Sequence, residues 1–175
     1  MTLPNADDSV SSTDRFGNKA AARLRLSGLA VAGWVSIPVY FGLEGAIRLL
    51  NLGRSQALST EMADLVARSG SNAELERVRL VSPARLPIKH GAITLGHTVF
   101  SREELRSDEL GHVHLMVHEL VHVVQCQGLG RVGMAMAYGR GWVDGFSYEQ
   151  HHMEVEARAA ADDALPILRE VIDNT

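Results

Sequence analysis

The residues of this chain best suited to chemistry stand in one short stretch, "LMVHELVHVVQCQG", residues 115–128. His118 and His122 are four apart, so on an α-helix they share a face and their imidazoles can reach a single ion. Glu119 is turned about 100° from His118. That makes it a poor third ligand in the same plane but places it to reach a water that the ion activates, the position of a general base in metal-assisted hydrolysis. Val117, Leu120, Val121, Val123 and Val124 around it are apolar. Two imidazoles and a carboxylate buried among them would be costly without partners, and a metal with its water supplies those partners. The opposing reading, polar residues facing solvent on an amphipathic helix, has to contend with apolar neighbours on every side.

A catalytic zinc site takes three protein ligands and keeps one position open. The metzincin arrangement would need glycine at 125 and histidine at 128. The chain has Gln125 and Gly128, which excludes that class. A later segment, "HHMEVEARAAADD", offers Glu154 and Glu156, far enough beyond His122 for a second helix to return. Being two apart, these glutamates point to different faces, and spacing alone leaves the choice between them open.

Several further side chains are candidates for supporting roles. Gln125, one turn beyond the histidines on their face, is expected to make a helix-packing hydrogen bond or one that orients a ligand. His114, one turn before His118, reads as helix surface or rim. His151 and His152 read as loop or cap residues rather than ligands. His97 could line a substrate cleft, and Tyr148 could stabilise an oxyanion. Cys126, the only cysteine, excludes an internal disulfide and reads as a small apolar filler.

The elements that must position these residues follow from pattern. At 175 residues, 46% hydrophobic and 22% charged, the chain fits one domain with a real core. A net charge of -4 gives no basic footprint for nucleic acid. Residues 1–22 are polar and expected to be mobile. Residues 23–55 form an apolar helical segment whose uncharged run, Leu26 to Leu43, reaches the lower edge of what spans a bilayer. Pro38, three glycines and two serines weigh against a span, and no cleavable signal peptide is recognisable. We expect a buried or partner-facing helix broken near Pro38, with membrane anchoring through Leu26 to Leu43 as the competing role. Residues 56–175 read as the catalytic domain. They begin with a short helix capped by Ser59 or Thr60, then a strand over "RVRLVS" and a second strand over "AITLGHTVF". Ser101 with Glu104, or Asp108, is expected to cap a long helix that stops at Gly128. The glycine-rich stretch after it reads as a connection holding a short helix. A final helical region follows from about Tyr148, with Pro166 starting or kinking its last part.

With the motifs in view, "HELVHVVQ" and "EVEA" together resemble the gluzincin-like metallopeptidases. That likeness implies Glu154, first residue of an E-x-x-A segment, as the third ligand. The order "AITLGHTVF", "HELVHVVQ", "YEQHHMEVEAR" is similar to the metallopeptidase domain associated with extracellular contractile injection systems, the eCIS core domain, over roughly residues 75–162. The resemblance implies a compact minimal zincin of α+β class, mostly helical, with a small sheet before the HExxH helix. The expected function is a Zn2+-dependent metallopeptidase acting on a peptide or protein substrate, with His118, His122 and Glu154 holding the metal and Glu119 activating the water. The alternative is a catalytically silent, metal-stabilised scaffold or injected effector module, possible even as a membrane-anchored form. The sequence fixes neither substrate nor location, cytoplasmic or membrane-associated.

Overall fold

The computed structural model describes residues 12–143 and 147–174, with side chains described from Val31 onward except at 142–146. The chain folds as α1 (Ser12–Leu50), α2 (Thr60–Arg68), β1 (Arg79–Val81), β2 (Ala92–Leu95), β3 (Thr98–Ser101), α3 (Leu110–Val143) and α4 (His152–Asp173). Short 3-10 turns at Leu75–Arg77 and Tyr148–Gln150 join them. The architecture is α+β, helices around a three-stranded mixed sheet, as the pattern implied.

The sheet order is β1-β3-β2, with β3 parallel to β1 and antiparallel to β2. Alternation gives it two apolar faces. Leu80 and Val99 join Val113, Met116, Val117 and Leu120 of α3, Ala161, Ala164 and Leu168 of α4, and Met62 and Val66 of α2. Val81, Leu95 and Phe100 face the other way, onto Ile47 of α1. The segment "AITLGHTVF" is therefore a hairpin and not one strand. Gly96, at φ 69, opens a two-residue turn with His97, and glycine at the first turn position is what a type II′ hairpin turn requires.

Three helix boundaries also differ from the pattern. The polar stretch expected to be mobile is helical from Ser12, while residues 1–11 lie outside the described residues. Helix α1 continues through Pro38, which lies on its exposed side. The lost backbone hydrogen bond thus falls towards water, while Glu44 and Ile47 stay buried on the inner side. Helix α3 does not stop at Gly128. It kinks at Gly130 (φ 68, ψ 168) and continues to Val143 as a second helical arm. Only glycine adopts that φ cheaply. The expected caps Ser101 and Asp108 are otherwise engaged. Ser101 ends β3, Asp108 pairs with Arg106, and the Glu109 carbonyl accepts the first bonds of α3.

The second arm of α3 packs along α1. Glu44, buried on α1, receives Arg131 just past the kink and Arg48 from its own helix, and Arg48 also donates to the Leu95 carbonyl. Ser36 donates to the Ala135 carbonyl at 2.6 Å. Among the described residues, no helix is long and apolar enough to cross a membrane, which corrects the expectation of a possible span. The run's outer side, with Val31, Trp34 and Val35, is exposed.

One consequence is testable. A Cβ at Gly139 would lie 2.5 Å from Ser36 Cβ and 2.9 Å from the Ala32 carbonyl oxygen. Helix propensity alone would make Gly139→Ala stabilising by about 1 kcal/mol. The close approach reverses the sign, and we expect a net loss of roughly 1–3 kcal/mol, seen as a melting temperature lower by several degrees. A raised melting temperature would show that the two helices do not meet here.

Candidate metal centre

The first arm of α3 presents His118 and His122 on one face, and α4 returns antiparallel to bring Glu154 against them. His118 Nε2 and His122 Nε2 are 3.2 Å apart. Glu154 Oε2 lies 3.3 Å from His118 Nε2, and Glu154 Oε1 lies 3.4 Å from His122 Nε2. Among the described residues these three form the group able to hold a metal ion. Glu154 is 1% exposed, and its Oε2 is buried without a hydrogen bond. A buried carboxylate oxygen left in that state is costly unless something absent from the chain's own atoms completes it.

Each ligand candidate is held from behind. Gln125 Nε2 donates to the Met153 carbonyl at 3.2 Å and to Glu156 at 2.9 Å, which turns Gln125 Oε1 towards His122 Nδ1 at 2.7 Å. An amide oxygen only accepts, so His122 Nδ1 carries the proton and its Nε2 lone pair faces the cluster. Glu156 points away from the cluster, as its spacing from Glu154 dictates, and is exposed to solvent, where it accepts from Gln125.

Tyr138 on the second arm of α3 donates to Glu154 Oε1 at 2.8 Å. Burial alone would raise the Glu154 carboxyl, but the His118 and His122 imidazoles and the Tyr138 hydroxyl hold it well below the usual carboxylate range. Burial, reinforced by Glu154, raises the Tyr138 phenol so that it stays a donor.

Glu119 is 4% exposed and lies beside this cluster, not within it. Thr94 of β2 donates to its Oε2 at 2.7 Å, with a longer contact of 3.1 Å to its carbonyl oxygen. Burial pushes the Glu119 carboxyl up, against the opposing pull of His122, Thr94 and His118. Such a group is suited to taking up a proton.

The remaining candidates fall into place. His114 pairs with Asp162 at 3.0 Å, a rim contact. His151 caps α4 by accepting from the Met153 amide and stacks between Tyr138 and His152. His97 sits in the hairpin turn and does not line the cavity beside the cluster. Tyr148 does line that cavity, its ring tilted by 35° against His90. Cys126 packs with Met134 and Met153 in a small apolar cluster. Sequence reasoning missed Thr94 and Tyr138. A threonine on the inward face of an edge strand hints at the first. No local signal marks the second, because the Gly130 kink alone brings it back.

Residues 56–130, less than half of the chain, match the family model of the eCIS core domain. The matched stretch holds the sheet, His118, Glu119 and His122; α1, the second arm of α3 and Glu154 lie outside it. No curated protein and no solved structure matches the chain.

Proposed function

We propose that this chain is a zinc metallopeptidase of gluzincin-like type, serving as a module associated with extracellular contractile injection systems. One observation carries the metal reading: two imidazole nitrogens and a buried carboxylate converge at separations of 3.2, 3.3 and 3.4 Å. Ligands on a tetrahedral zinc with bonds of roughly 2.0–2.1 Å stand about 3.3–3.4 Å from one another, so the cluster fits the ion. When bound there, zinc would act as a Lewis acid that lowers the pKa of a water and polarises a carbonyl.

The chain's own residues supply the rest. His118, His122 and Glu154 hold the ion. Gln125 fixes the His122 tautomer, and Tyr138 occupies Glu154 Oε1 so that Oε2 is left to ligate. Glu119, steadied by Thr94, takes the proton from the attacking water and delivers it to the leaving amine. Tyr148 lines the same cavity and would be the donor to a developing oxyanion. The eCIS core match supports the association, and Glu154 followed by the buried Ala157 supports the E-x-x-A assignment.

A metal-stabilised scaffold or injected effector without activity is the second reading. The strand of four residues at the sheet edge favours it, since it offers little backbone to a substrate. The test is metal analysis of the full chain with hydrolysis of an unfolded protein, before and after chelation. We expect about one zinc per chain, cleavage lost with a chelator and restored by zinc. Full metal without cleavage of any unfolded protein would favour the scaffold, and absence of metal binding would end both readings.

A further inference from the structure

The cavity beside the metal centre has two unlike ends. One is polar and holds Glu119, His122 and Glu154. The other, set by Val39 and Leu43 of α1 and by Ile88 and Ile93, is apolar, and the whole encloses about 270 Å³. Ala92, Ile93, Thr94 and Leu95 of β2, an edge strand of the sheet, also line it, so a peptide laid along β2 towards the metal would carry a side chain past the α1 wall. About 150 Å³ of apolar cavity is enough to bind benzene, so a space of about 270 Å³ shared between the two ends leaves room for a phenyl or leucine-sized group at the apolar one. Among the described residues, no lysine or arginine lines it. An acidic side chain at the apolar end would be desolvated among aliphatic groups with no donor to receive it.

We infer that this cavity is a specificity pocket for one large apolar side chain of the substrate, aromatic or leucine-sized, and that α1 sets its size. The inference rests on the metallopeptidase reading and names what that site takes. It also assigns a role to α1, which lies outside the residues matched to the eCIS core domain. Specificity on this view resides in Val39 and Leu43, whereas the chemistry resides in α3 and α4.

The test uses zinc-loaded full-length protein and two hydroxamates, which seek the metal in the same way. One is acetohydroxamate and the other carries a benzyl group. Calorimetry should show the benzyl compound binding roughly ten- to hundredfold more tightly, the gain expected from burying a phenyl ring. Val39→Trp and Leu43→Trp each fill the apolar end, and loss of that ratio in either supports the pocket. Equal binding of both compounds by the unaltered protein, or a ratio surviving in both variants, overturns it. If zinc-loaded protein binds neither hydroxamate, the metallopeptidase reading fails instead, and the pocket's assignment fails with it.

Discussion

Glu119→Gln is expected to keep its zinc and lose peptide hydrolysis by at least about a hundredfold, and up to about ten-thousandfold. The side chain stands beside the metal cluster without belonging to it, so the ion's ligands are untouched. Glutamine has the same shape and can still accept from the Thr94 hydroxyl, which now lies 2.7 Å from Glu119 Oε2. The fold around the site should therefore survive. What disappears is the capacity to take a proton from water. Metal content by elemental analysis and turnover of an unfolded protein, measured on one preparation, separate the two properties. Unchanged turnover would remove Glu119 from the mechanism. Loss of zinc together with turnover would mean that Glu119 belongs to the ligand set.

Glu154→Ala should weaken zinc binding by more than about a hundredfold, because a three-ligand site becomes a two-ligand one. The carboxylate is buried, lies within 3.4 Å of both imidazoles, and is fixed by Tyr138. Glu156→Ala should cost less than about tenfold. Glu156 is exposed and reaches the site only through Gln125, which keeps the Met153 carbonyl as a second acceptor. Competition against a chromophoric chelator reads both affinities. The reverse ranking would transfer the third ligand to Glu156, and indifference to both changes would dismantle the gluzincin-like assignment.

The helix of the candidate metal centre was legible because its information is local. Four residues make one turn, so the relation of His118 to His122 follows once the segment is helical. The choice of Glu154 came from a family likeness, and helix geometry then correctly turned Glu156 away. The hairpin was hidden because β-branched residues flank Gly96 on both sides, and a two-residue turn leaves their alternation almost undisturbed. Pro38 signalled a break from its local cost of about 3 kcal/mol, yet the burial of Ile47 and the pairing of Glu44 with Arg48 and Arg131 on the inner side of α1 outweigh a lost bond facing water. Gly128 and Gly130 look alike in sequence, and only the packing of the second arm against α1 selects Gly130 as the kink. Thr94 and Tyr138 depend on those tertiary events, so they could not be read before the hairpin and the kink were known.

The kink at Gly130 also bears on how such a unit could be moved between proteins. The stretch matching the eCIS core domain ends at this same residue. A transplant cut at those limits would carry both histidines and Glu119 but neither Glu154 nor the tyrosine that holds it. It would also leave behind α1, whose Glu44 receives Arg131 immediately after the bend. The smallest portable unit is thus not the stretch that carries the signature but that stretch with its flanking helices on both sides. In a fusion protein, the place for a joint is outside α1 and α4, where it would leave the bend and its clamp intact.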